Sequence, residues 1–121
     1  MATTETYDIY DAAIVPPVVA QYMVAQGDGT DSETIAQAFT SDAHVNDEGI
    51  DYHGEDGVRA WLNKTGGEYA YTTTLTGQRQ DGPDKWTVIA HLEGDFPGGV
   101  VDLPFRFTLR GDKIAKLIIA F

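Results

Sequence analysis

The chain has 121 residues, 42% of them hydrophobic, with a formal net charge of −11 and a pI near 4.3. That length fits one domain around one core, and the apolar content is too high for a disordered tail. So acidic a surface repels phosphate backbones and anionic lipid, which argues against nucleic-acid or membrane-surface partners.

Cysteine is absent, so disulfides, thiolate metal sites and a Cys nucleophile are excluded. The chain reads as soluble and cytoplasmic. Met1 to Asp8 lacks the basic region and apolar stretch of a signal peptide, and no apolar run approaches the roughly 20 residues of a membrane helix.

Residues 1–13 are polar with scattered Tyr and Ile and read as an arm ahead of a single domain spanning 14–121. Pro16-Pro17 suit the first turn of a helix, whose buried face carries Val18, Val19, Tyr22 and Met23 and which stops at Gly27-Asp-Gly29. Thr30-Asp-Ser-Glu33 has the capping-box pattern and opens a second helix with Ile35, Ala38 and Phe39 on one face. A short strand follows over Ala43 to Asp47, then a Gly-bounded turn and a loop holding His53. Gly54-Glu-Asp-Gly57 opens a third helix, its acids favourably placed against the helix dipole; Val58, Trp61 and Leu62 form its stripe, and Gly66-Gly67 ends it. Four strands then succeed one another at tight turns: Tyr69 to Gln78, Trp86 to Leu92, Val101 to Leu109, and Ile114 to Phe121. Helices first and an antiparallel meander second is the α+β order.

Asp47 is the most informative single residue. Strand side chains alternate, so if Val45 faces the core, Asp47 faces it too, with His44 and Asn46 on the other side. A carboxylate on an apolar face is costly unless it is paired, hydrogen-bonded or kept for proton chemistry. One reading is a pocket acid acting as general base. The other is an Asx-type cap on the turn, bonded to Gly49. Tyr22 has the same two-sided character, as a hydroxyl donor into a pocket or as core packing with its hydroxyl at the rim.

The runs Phe39-Thr-Ser-Asp-Ala-His-Val-Asn-Asp47 and His53-Gly-Glu-Asp-Gly-Val-Arg-Ala-Trp61 carry a family resemblance. So do Gly94-Asp-Phe-Pro-Gly98 and Phe105-Arg-Phe-Thr-Leu-Arg-Gly-Asp-Lys-Ile114. From about Val18 to Phe121 the chain resembles the nuclear transport factor 2-like superfamily, in its SnoaL-like and ketosteroid-isomerase-like branch. The resemblance implies a cone-shaped (cystatin-like) fold, three N-terminal helices packed on a curved antiparallel sheet. In that branch an acid at the end of the first strand is the general base, which Asp47 matches. A Tyr on the first helix is the oxyanion donor, which Tyr22 matches by register. The branch's third member, a late-strand acid, falls near Phe105, and Asp102 has the opposite parity. Arg79-Gln-Asp81 is similar to the Arg–Asp pairing of the epoxide-hydrolase branch, but it abuts Gly82-Pro83 and reads as a solvent-facing hairpin tip.

The expected pocket is mostly apolar and lined by Tyr22, Val45, Asp47, Trp61, Phe105 and Phe107, with His53 either at its mouth or on a surface loop. No metal or other cofactor is expected: His44 is on the wrong face for Asp47, His53 lies in a loop, His91 shares parity with Ile89 and Glu93, and no pair has the i, i+4 spacing of a zinc helix. Gly27-Asp-Gly29 follows a helix, the wrong context for a dinucleotide loop, and neither Ser32 nor Ser41 has a nucleophile elbow. Two functions remain open. One is a cofactor-free isomerase, cyclase or dehydratase acting on a hydrophobic carbonyl compound, Asp47 shuttling the proton and Tyr22 polarising the carbonyl. The other is a non-catalytic ligand-binding or dimerisation module. Ile89 and Ile118 on the sheet's second face, with His91 beside them, suggest a homodimer through that face.

Overall fold

Pro16 is held extended (φ −55°, ψ 142°) and Pro17 begins α1 (Pro17–Ala25), where a missing N–H costs nothing. The structure, a computed structural model, describes residues 7–26, 31–65, 71–95 and 97–120. The helix stops expected at Gly27 to Gly29 and at Gly66-Gly67, and the terminal Phe121, lie outside the described residues. Helix α1 buries Val18, Val19, Tyr22 and Met23, the stripe expected from spacing.

The second helix, α2 (Ser32–Ala36), starts one residue later than the capping-box pattern suggests. Its cap is Asp31, whose Oδ1 accepts from the Thr34 N–H at 2.7 Å, while Thr30 is outside the described residues. That backbone bond holds the Asp31 carboxyl below its ordinary range. Phe39, expected on the helix, instead opens β2 (Phe39–Asp47), because the chain is already paired there: the Ile114 N–H donates to the Ala38 carbonyl at 2.8 Å.

Strand β2 turns at Glu48-Gly49 into β3 (Ile50–His53), so His53 ends a strand and does not sit in a loop. Both turn residues have positive φ, 50° and 88°, the conformation that matches a two-residue hairpin to the strand twist. Helix α3 (Gly54–Thr65) then lies directly on β3. A Cβ added at Gly57 would stand 3.2 Å from the Tyr52 backbone, so a bare glycine permits the approach.

Strands β4 (Tyr71–Gly82), β5 (Lys85–Gly94), β6 (Val100–Arg110) and β7 (Lys113–Ile119) form the expected antiparallel meander. Within the segment read as an arm, β1 (Asp8–Ile9) pairs with β4, and the Asp11 N–H donates to the buried Gln78 Oε1 at 2.6 Å. The sheet order is β1-β4-β5-β6-β7-β2-β3. One pairing corrects the all-antiparallel expectation: β2 and β7 run parallel, Val45 opposite Leu117 and Asp47 opposite Ile119. The connection between them contains a helix and four strands, ample for a parallel crossover. Val45, Val88, Ala90, Phe105, Phe107, Leu117 and Ile119 share the inner face with the helices and are buried. No described helix is long and apolar enough to cross a membrane.

Candidate functional site

Strand β2 delivers a carboxylate to the inner face by simple alternation. Ala43 and Val45 are fully buried there, and Asp47 follows two residues later, half-buried at the strand's end. Trp61 on α3 is 2% exposed and donates from Nε1 to Asp47 Oδ2 at 2.9 Å. The Gly49 N–H, which the capping alternative would assign to Asp47, is taken by Asn46 Oδ1 at 3.2 Å. The acid is therefore anchored to the aromatic wall.

Tyr22 stacks on Trp61, with ring centroids 6.4 Å apart and planes 21° from parallel. Its ring also lies 5.7 Å from Phe107 and 6.4 Å from Phe105. The structure thus brings Tyr22, Val45, Asp47, Trp61, Phe105 and Phe107 to one inner surface. It does not bring His53 there: the pleat of β3 turns Tyr52 inward opposite Val45 and sends His53 to the outer face opposite His44. Phe39, which sequence reasoning placed on a helix, belongs to the cluster, edge-on to Tyr22 at 5.8 Å and to Trp61 at 6.2 Å. The alternation of Ala43, Val45 and Asp47 does not reach it, because β2 is irregular between Phe39 and His44 and Ser41 is exposed. Phe39 also borders a crevice of about 110 Å³ lined by Thr40, Glu55, Val58, Arg59 and Lys113 among others. That is room for a few waters.

Polar groupings also lie on the outer face. Arg79 Nε donates to Asp81 Oδ1 at 2.6 Å, and the fully buried Thr87 donates to the other oxygen. The solvent-facing expectation for Arg79 and Asp81 needs correction, since their side chains are only 31% and 29% exposed. Strand β4 continues through Asp81 to Gly82, which lays the pair across Thr87 of β5. Burial pushes the Asp81 carboxyl up, but the bonds from Thr87 and Arg79 outweigh it and hold it below its usual range. Farther along, His91 Nδ1 is 2.7 Å from Asp102 Oδ1, which raises the imidazole above its ordinary value. Asp102 is thereby placed away from the aromatic cluster, as its parity requires.

No protein-family model matches the chain, and no curated protein does. Solved structures do. A candidate polyketide cyclase from Sinorhizobium meliloti is 30% identical, with a TM-score of 0.82 over 92% of this chain and 100% of that one. A ketosteroid isomerase-like fold protein from Catenulispora acidiphila, in complex with trimethylamine, is 20% identical, with a TM-score of 0.72 over 88% and 86% of the two chains. A candidate polyketide cyclase from Pseudomonas putida is 17% identical, with a TM-score of 0.70 over 88% and 90%. The last two likenesses speak for the fold alone.

Proposed function

The chain belongs to the nuclear transport factor 2-like superfamily, in its SnoaL-like and ketosteroid-isomerase-like branch, and we propose that it binds a small hydrophobic carbonyl compound and moves a proton on it. Asp47 is the general acid–base. Its Oδ2 is held by Trp61, which fixes the carboxylate's orientation and leaves Oδ1 to take a proton from the carbon next to the carbonyl. Tyr22 donates its hydroxyl to the carbonyl oxygen as charge develops there. The chemistry is of isomerase, cyclase or dehydratase type and calls for no cofactor. The observation that carries this reading is the Trp61–Asp47 hydrogen bond, an acid deliberately seated on an aromatic inner surface.

A second reading, a non-catalytic ligand-binding or dimerisation module, is favoured by one observation. Tyr22, Trp61 and Phe105 are each no more than 4% exposed, and Phe105 stands where the branch's late-strand acid would fall. The two readings separate in heavy water. Hydrophobic ketones incubated with the protein should exchange α-protons for deuterium, and Asp47→Asn should slow exchange by about 100-fold or more. Ketones that quench Trp61 fluorescence without exchanging would establish the second reading, and exchange untouched by Asp47→Asn would remove Asp47 from the chemistry.

The same proposal includes a homodimer through the sheet's outer face. Ile89 and Ile118 are half-buried apolar residues on that face, and Pro104 lies opposite Ile89 on β6. Covering them in a second copy accounts for their placement.

A further inference from the structure

We propose that His44, Asp51 and His53 form a binding site for a divalent transition-metal ion of the zinc class, on the outer face of the β2–β3 hairpin. The site lies on the opposite side of β2 from Asp47, so it stands or falls independently of the acid–base reading. Helical spacing rules miss it, because the ligands come together by cross-strand register. His44 pairs with His53 and Asn46 with Asp51, and the pleat places all four on one face. The positive-φ turn at Glu48-Gly49 fixes that register, and Asn46 adds its bond to Gly49.

The donor set is already gathered. The two imidazoles face one another at 4.4 Å with planes 10° apart, and one ligating atom from each of the three residues lies within 4.8 Å of the others. His44 Nε2 is 2.7 Å from Asp51 Oδ1, so a single proton now occupies the position between a nitrogen and an oxygen that suit zinc. Bonds of about 2.0–2.1 Å at tetrahedral angles set ligand atoms roughly 3.3 Å apart. Binding therefore asks Asp51 to withdraw by a fraction of an ångström and the rings to splay from parallel. Their surroundings permit it: the side chains of His44 and Asp51 are 29% and 52% exposed, and His53 is exposed.

The supporting shell is also present. Asn46 Nδ2 donates to Asp51 Oδ1 at 2.8 Å, orienting the carboxylate as outer-shell partners of metal ligands do. Lys116, the register partner of His44 on β7, brings one opposing positive charge, set against an overall charge of −11. Three protein ligands leave a further coordination position to water. Asn46 is the register partner of Ile118 and β3 is the outermost strand of the sheet, so the site borders the proposed dimer face at the sheet's edge.

Calorimetric titration of the whole chain with zinc chloride tests the proposal. One ion should bind per chain, chelator should reverse it, and the wild-type melting temperature should rise with zinc. His44→Ala, His53→Ala and Asp51→Asn should each weaken binding by about tenfold or more, with unchanged far-UV dichroism, while His91→Ala should bind as wild type. Absence of saturable binding by the wild type overturns the site. So does binding that survives the His44→Ala/His53→Ala double variant, or that disappears in His91→Ala.

Discussion

Trp61→Phe removes the indole N–H from Asp47 while keeping an aromatic ring against Tyr22. A hydrogen bond to an ionised group contributes about 1.5–3 kcal/mol when water is excluded. Asp47 is half-buried, so water partly replaces the lost donor and the coupling should fall to about 1–1.5 kcal/mol. Trp61 itself is 2% exposed, and shrinking the ring in so closed a place adds roughly 1–2 kcal/mol of cavity cost unrelated to the hydrogen bond. The single variant therefore confounds two effects. A double-mutant cycle with Asp47→Ala separates them, because the cavity term appears on both sides and cancels. Urea unfolding reads the cycle directly, and melting should reproduce it at about 4 °C per kcal/mol for a chain of this length. A coupling below about 0.3 kcal/mol, the usual error of additivity, would mean that Trp61 does not hold the acid. In the deuterium-exchange assay, Trp61→Phe should lie between wild type and Asp47→Asn, since it loosens the base without removing it.

Three other outcomes are expected. His91 should titrate above its ordinary value of about 6.5 because Asp102 bonds its protonated form. The resulting stabilisation is complete below that value and is lost as pH rises through the raised one; NMR titration should show the shift shrinking in Asp102→Asn, with Glu93 supplying the remainder, and an unmoved His91 would refute the pairing. Glu48 holds φ of 50°, a strained conformation for Glu, so Glu48→Asn should stabilise the fold by a few tenths to about 1 kcal/mol in urea unfolding; a loss of stability would mean the turn is not limiting. Sedimentation at micromolar concentration should give twice the 13.2 kDa chain mass, and Ile89→Asp should give monomer; a wild-type monomer, or a dimer indifferent to Ile89→Asp, refutes the interface.

Local periodicity carries most of the fold. The α1 stripe from Val18 to Met23 and the meander from Lys85 to Ile119 follow from spacings of three to four and of two, each written within one element. Errors gather where a distant strand overrides local preference. Phe39 sits at a helical interval from Ile35, yet β7 pairs with the chain at Ala38 and draws Phe39 into the sheet. The parallel direction of β2 against β7 has the same origin, since nothing within either segment states which way its partner runs. The resemblance to a known family supplies the curved-sheet architecture that periodicity alone does not.

The two polar groupings of β2 show how far alternation reaches into function. Parity alone sends Asp47 inward and His44 outward, and the structure agrees on both. Parity is silent about what each meets. Asp47 finds its donor 14 positions away on α3. His44 finds His53 nine positions away and Asp51 seven away, intervals that mean nothing on a helix. They become neighbours only once the chain reverses at Glu48-Gly49. A hairpin of known register converts sequence distance into a fixed pair table, so a histidine's partners can be read by counting outward from the turn. The decisive sequence signal was therefore Glu48-Gly49 itself. Reading it as a two-residue turn places His44 opposite His53, and reading it as the start of a loop separates them. Shifting the register of β3 by one residue would tell the same thing experimentally, because it should break the His44–His53 facing pair and turn Tyr52 off the inner face, while Val45 on β2 stays in place.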